Sequence, residues 1–484
     1  MDETIERVDV VIVGAGLSGI AAAVELKAKH PGRSFVMLEA RADVGGTWDL
    51  FRYPGIRSDS DMFTLGYGFK PWTAEKSIAS GEAILVYLNE TVDEYGLRPH
   101  IRLESRVLGA DWSKDDRSWS LEVAGPTGRT LVSCSYLYMA AGYYDHERGH
   151  EPEFPGQEAF RGQIVHPQQW PTDLDCTGRR VGVIGSGATA ITLVPALAQT
   201  AAKVTMVQRS PSYVAIDSDV DEQANQLRAE VGGQEAFTRI RLRNLQDQQV
   251  KYHFARTDPE AFKKPLFDEI EKIVGRDCRE RHFTPAYEPW DQRVCLVPNG
   301  DLFHAIRDGK AEVVTGHIET FTENGLRMTS GEEVPADVIV TATGLQLVTL
   351  GKIRFSMGGE PIDFSKTFTY KGVAFSGVPN LLMAFGYLNS SWTLRLELVN
   401  RFWSSLLTRM DELGAEVVTP VLRDEDQGMS RGPWLKGVSS GYLVRHMDDM
   451  PGQGDREPWI NPQVHEQLKG LLSAPFEDGV LRFA

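Results

Sequence analysis

The sequence predicts an α/β fold in which one βαβ unit occurs twice, the second copy inserted into the first. Three observations carry this. Residues 8–13 (VDVVIV) form a β-branched, apolar run of the kind that fills a buried parallel strand, and the loop GAGLSG follows at residues 14–19. The same order returns at 181–209, where VGVIG leads into GSGATA, an Ala/Leu-rich stretch and then VTMVQR. Two further apolar runs, LYMAAG at 137–142 and ADVIVTATG ending at Gly344, finish in small residues and mark where the chain leaves the first unit and returns to it. Two such units read as Rossmann-like dinucleotide-binding domains.

The elements follow in order. After the first loop, Leu17, Ile20, Ala21, Val24 and Ala28 recur at helical spacing, and FVMLE (35–39) supplies the second strand. Residues 101–141 alternate as antiparallel strands do. Pro195 should kink the helix of the second unit. Residues 216–285 are charged and helical in pattern and read as a lid or cap within the inserted domain; residues 418–463, rich in Gly, Asp and Pro, read as loops. The expected organisation is 1–145 for the first part of one domain, 146–340 for the inserted domain with a helical insertion at about 216–285, and 341–484 for the rest. A chain of 484 residues exceeds what one core supports.

Composition narrows the function. The net charge of −16 argues against nucleic acid or an anionic membrane as a partner, so any anionic ligand must be held by local features. The four cysteines (Cys134, Cys176, Cys278, Cys295) stand far apart with no CxxC pair, which fits neither a disulfide scaffold nor a metal cluster and suggests a reducing compartment. The start is acidic where a secretory signal is basic and then apolar, and no apolar run nears the roughly 20 residues of a membrane helix, so a cytoplasmic location is expected.

The two loops differ in chemistry. In the first, Gly14, Gly16 and Gly19 complete GxGxxG between strand and helix, and Glu39 stands twenty residues after Gly19, where a carboxylate accepts hydrogen bonds from a ribose. In the second, Gly185, Ser186, Gly187, Ala188 and Thr189 lead to Ala190 at the third glycine position, and the following strand ends in Gln208-Arg209 rather than an acid. A guanidinium there pairs with a 2′-phosphate that a carboxylate would repel. FAD in the first unit and NADPH in the second satisfy both. Residues 45–72 (GGTWDLFRYPGIRSDSDMFTLGYGFKPW) supply the flat apolar wall and polar edge that a flavin ring needs, although an aromatic cluster under a long loop would look the same. FRGQIVHPQQWP (160–171) precedes the second unit and so lies at the linker. A lone histidine such as His166 is more often a hydrogen-bonded structural residue than a catalyst.

That last string carries a resemblance. Phe160, Gly162, His166, Trp170 and Pro171 match F-x-G-x-x-x-H-x-x-x-W-P without a gap, the fingerprint of type I Baeyer–Villiger monooxygenases among the class B flavin monooxygenases. The strings at 45–67, 282–303 and 386–394 (GYLNSSWTL) look like the subgroup that contains the ethionamide-activating monooxygenase of mycobacteria. The similarity spans nearly the whole chain and weakens at 216–280 and after about residue 410.

The resemblance implies roles. Glu39 resembles the FAD ribose ligand; Ser18, Thr47, Trp48, Asp49 and Leu50 match positions near the FAD diphosphate and ring; Val107 matches the residue whose backbone meets the adenine. Arg57, Ser58 and Asp59 match the turn between flavin and nicotinamide. Ser186 to Thr189, Gln208 and Arg209 resemble the NADP site. Arg293 matches the arginine held over the flavin, steadied by Asp59. Gln292 stands where cyclohexanone- and phenylacetone-type members carry a lysine that helps hold NADP. The fingerprint, His166 included, is implied to be conformational. The activity implied uses NADPH and O₂ to insert one oxygen beside a ketone through a C4a-peroxyflavin, giving an ester or lactone. Oxidation of sulfur or nitrogen, in a thioether for example, is the alternative, and a non-catalytic flavin or nucleotide sensor a remoter one; a disulfide reductase lacks its cysteine pair. Which of Trp392, Trp434 and Trp459 faces the site, and the oligomeric state, are not set by the sequence.

Overall fold

A computed structural model describes residues 5–437 and 439–484 of the chain. Two parallel-stranded sheets organise it. The larger has nine strands. At its centre, Glu6–Val13 pairs in parallel with Phe35–Leu38 on one side and Gly128–Met139 on the other. Arg106–Ser113, Ser118–Gly125 and Gly128–Met139 form the antiparallel meander expected from the alternation at 101–141. Arg354–Met357 and Leu381–Met383 join this sheet from much later in the chain. Its faces separate by the two-residue period: Val10 and Ile12 enter one core and Val11 and Val13 another.

The second sheet has five parallel strands in the order Ala311–Thr315, Lys203–Gln208, Arg180–Ile184, Val338–Thr341 and Gln163–Val165. All five lie in sequence between Met139 and Arg354, so the second Rossmann-like unit is inserted into the first.

One local reading needs correction. The helix Leu17–Lys29 is buried over more than the expected stripe: Ser18 to Val24 and Leu26 are covered while Ala28 is exposed. The sheet lies on one side of this helix and the helix Trp392–Leu413 on another, so Ala21, Ala22 and Ala23 serve as close-packing surfaces. Pro195 stands in the last turn of the helix Ala188–Leu197, which ends two residues beyond it.

Between the paired strands Val214–Asp217 and Cys295–Pro298 come the helices Glu222–Glu230, Gly233–Thr257, Pro259–Val274 and Arg276–His282. Their packing crosses units: Ala236, Phe237 and Ile240 share a core with Phe63 and Tyr67 of the first unit. The Gly/Asp/Pro-rich stretch 418–463 is mostly loops. It is nonetheless anchored, because the buried indole of Trp459 donates to Asp426 Oδ2 at 2.9 Å. No helix among the described residues is long and apolar enough to cross a membrane.

The first loop fits only glycine at position 19, where a Cβ would overlap the carbonyl oxygen of Gly14. Gly19→Ala is expected to lose at least about 1–3 kcal/mol of stability, the usual range for overpacking. Gly32→Ala, with nothing within 4 Å of the new methyl, should stay near wild type. Urea denaturation of the two variants checks this.

Candidate active site

The C-terminal ends of both sheets face one cavity of about 1270 Å³. The first unit contributes Gly14, Gly16, Ser18, Glu39, Thr47, Trp48, Arg57, Ser58, Asp59 and Val107 to its wall, and the second Gly185, Ser186, Gly187, Ala188, Thr189, Arg209 and Arg293.

The glycine loops suit two dinucleotides. Gly14 turns at φ +103° with its Cα against the carbonyl of Ala140, where an added Cβ would stand 2.5 Å from the oxygen. Gly185, at φ +144°, repeats this against Ala342. The helices that follow are capped by Gly16 and Gly187 with no side-chain hydrogen bond, so their first N–H groups are left for a ligand's phosphates. No methyl could be added to Gly16 without touching Gly46, so the two glycines leave a bare backbone surface there. Glu39 follows the end of the second strand, Phe35–Leu38. Its carboxylate accepts from Ala15 N–H at 2.7 Å and Arg41 N–H at 2.9 Å. Burial pushes its pKa up and these two donors pull it back.

The second unit's Arg209 is exposed on the wall, and no carboxylate partners it among the described residues. Its neighbour Gln208 is turned the other way, donating to His282 O at 2.7 Å and Thr315 Oγ1 at 2.9 Å, and does not reach the cavity. Asp49 and Leu50 also stay out of the wall: Asp49 is drawn back by Arg41 (2.7 Å) and Arg52. Gly19 lies beneath the loop rather than on it.

Between the loops stands an ion pair. Arg293 Nη1 lies 3.1 Å from Asp59 Oδ2, both side chains about two-fifths exposed (39% and 40%). The turn that presents Asp59 is held on both sides. Ser58 N–H donates to Ala79 O at 2.8 Å, and Arg57 is paired with Asp301 of the second unit. The chain reaches Arg293 through Trp290 in a left-handed conformation (φ +68°), uncommon for a bulky residue.

Phe160, Gly162, His166, Trp170 and Pro171 lie away from this wall. His166 Nδ1 accepts from Gln168 N–H at 3.2 Å, which leaves Nε2–H to donate to Gly344 O at 3.2 Å. Burial lowers its pKa, so the imidazole is held neutral.

The wall also includes Trp392, which the sequence left open beside Trp434 and Trp459, and residues that sequence reasoning missed. The indole of Trp392 donates to Ser18 Oγ at 3.0 Å and stacks on Tyr143 (5.1 Å, 10°). Trp459 and Trp434 belong instead to the core. Tyr143 and Tyr144 follow the strand end at 137–142, where open α/β sheets bind ligands, so their position held a usable signal. His146 lies on the same wall, and burial pushes its pKa down to about 4. All four cysteines are free, and burial raises Cys134 and Cys295 to about 12, so no reactive dithiol is present.

Comparison with known proteins places the chain. The profile of the pyridine nucleotide-disulphide oxidoreductase family matches residues 11–264. The FAD-containing monooxygenase EthA of Mycobacterium tuberculosis is 44% identical over 483 residues, covering 99% of this chain and 98% of its own. The chain belongs to this family of FAD-containing monooxygenases. EthA of Mycolicibacterium smegmatis is 47% identical over 457 residues, covering 94% of this chain and 92% of its own. The fold is shared with an oxidized steroid monooxygenase bound to NADP (TM-score 0.78, 23% identity, 99% of each chain). It is also shared with the open form of cyclohexanone monooxygenase (TM-score 0.78, 20% identity, 99% of this chain and 100% of the other).

His146 gives a pH-dependent prediction. Its folded pKa lies below the ordinary 6.5, so the unfolded chain binds the extra proton first, and stability is lost as pH falls from about 6.5 toward 4. By pH 5.5 the loss from this residue should be about 1 kcal/mol. Urea midpoints at pH 7.5 and 5.5 should converge in His146→Gln; an unchanged pH slope would contradict the assignment.

Proposed function

We propose that this flavin monooxygenase is of the Baeyer–Villiger type: with NADPH and O₂ it inserts one oxygen atom beside a ketone carbonyl to give an ester or lactone. The observation that carries the reading is the Arg293–Asp59 pair, set in the cavity wall between the two glycine loops. Residues 1–145 and 341–484 would hold FAD and residues 146–340 NADPH. The flavin, when bound, accepts the hydride and activates dioxygen. The four free cysteines suit a reducing compartment such as the cytoplasm.

Each group then has a task. Gly14, Gly16 and the uncapped helix Leu17–Lys29 bind a diphosphate, and Glu39 accepts from the ribose. Gly185, Ser186, Gly187 and the helix Ala188–Leu197 do the same for the second dinucleotide, with Arg209 on its 2′-phosphate. Arg293 supplies a fixed positive charge where negative charge develops on oxygen during insertion. A guanidinium stays protonated at any working pH and needs no reorganisation. Asp59 orients it and offsets part of its charge until that point. Trp392 and Tyr143, stacked in the wall, keep water from the reacting atoms.

Arg293→Ala should lower ester formation by at least about 100-fold, the usual loss when a preorganised charge-stabilising donor is removed. NADPH oxidation should persist, its electrons ending in H₂O₂. A screen of ketones and thioethers, read by NADPH consumption and by mass spectrometry for one added oxygen, checks both. Normal ester yield from the variant overturns the role of Arg293, whereas sulfoxide with no ester from the wild type replaces the ketone with a thioether. Arg209→Ala should raise KM for NADPH about tenfold, the loss of one charge-assisted pair, and leave KM for NADH unchanged.

A further inference from the structure

The helix Gly233–Thr257 lies where resemblance is weakest, yet it reaches three segments around the cavity through one polar stripe. Buried Arg241 donates to Phe63 O at 2.5 Å and Gly66 O at 2.9 Å, carbonyls at the end of the short helix Met62–Leu65, and pairs with Glu397. Asn244 Nδ2 donates to Asp61 Oδ1 at 3.0 Å. Gln248 Nε2 donates to Asp61 Oδ2 at 3.0 Å and Thr64 Oγ1 at 2.9 Å, while its Oε1 accepts from Ser390 Oγ at 2.5 Å and Ser391 N–H at 3.3 Å. Arg256 donates to Pro289 O at 2.9 Å and pairs with Asp291 at 2.7 Å, just ahead of Arg293. Positions 241, 244, 248 and 256 recur at helical intervals and so share one side of the helix.

We propose that this helix is a positioning element for the reaction centre and that Gln248 is its decisive residue, clasping two adjoining segments beside the cavity that also meet each other through Thr64 Oγ1 and Ser391 Oγ at 2.7 Å. One is the turn of Asp59 and Asp61; the other is Ser390–Ser391, which leads directly into Trp392. The inference rests on the proposed function only for what the centre does. The amide is required by chemistry. Ser391 N–H needs an acceptor, while the Asp61 carboxylate, already served by Thr64 and Asn244, accepts only from a further donor, and glutamine presents both from one side chain. Glutamate would set two carboxylates against each other.

That polarity supplies the test, on the full-length holoenzyme. In Gln248→Ala, hydrogen–deuterium exchange should rise about fivefold in both 57–66 and 388–394, the factor that one hydrogen bond of ~1 kcal/mol represents. Product per NADPH with the best ketone of the screen should fall while FAD content holds. Gln248→Met, which keeps the length and loses the amide, serves if the alanine variant does not fold. Gln248→Glu should behave like the loss of contact. Gln248→Glu combined with Asp61→Asn should restore exchange and coupling, because the new amide donates to the new carboxylate and asparagine still caps Met62–Leu65. Exchange that rises only within 244–252, or a double variant no better than Gln248→Glu, overturns the proposal. A wild type that oxygenates neither ketone nor thioether would refute the proposed function and leave the exchange result to decide this one.

Discussion

The structure turns on a backbone contact made twice. Gly14 rests on the carbonyl of Ala140 and Gly185 on that of Ala342, and each carbonyl lies just past the end of a strand adjacent to the glycine's own. No side chain fits between them, so each loop is shaped by the strand that carries the chain away from its sheet. The residues after those strands are the connecting segments between the two units. Glycine-loop backbone and inter-unit connection are therefore one construction, and the cavity lies where the two copies face each other.

The charged groups around the cavity follow from that placement. Arg41, Arg57, Arg106, Lys352 and Arg293 are each paired with a carboxylate, which keeps cations near the surface of an acidic protein from binding anions indiscriminately. Arg209, at the end of its strand, has no carboxylate partner among the described residues. Arg241 shows the opposite strategy. It is nearly buried, yet three carbonyls and a carboxylate satisfy it, so its charge fastens one helix to another with little desolvation left uncompensated.

What could be read from the chain was what is local. The glycine loops, Glu39 and Arg209 have roles set by a strand, a turn and a helix within some thirty residues, a span over which periodicity and chirality act alone. Asp59 and Arg293 are far apart in sequence, and only resemblance to a family brought them together. The errors are of two kinds. Ala28 fits the helical spacing, but it stands in the last turn of Leu17–Lys29, beyond the covered residues. Gln208 and Asp49 sit at informative positions, yet their side chains are turned by His282, Thr315, Arg41 and Arg52. Gln248 bears no mark at all, since an amide on a charged helix looks like a solvated face until its partners from residues 61 and 390 arrive. Side-chain direction is decided by distant partners, which the sequence does not order in space.

The carbonyl of Gly344 has a mechanical consequence. It accepts from His150 N–H at 2.9 Å and from His166 Nε2–H at 3.2 Å, so the strand crossing outward and the strand crossing back are tied to one oxygen atom. Two separate crossings would permit shear between the units. With a shared acceptor, the two connections can move past each other only by stretching or breaking a bond at this atom.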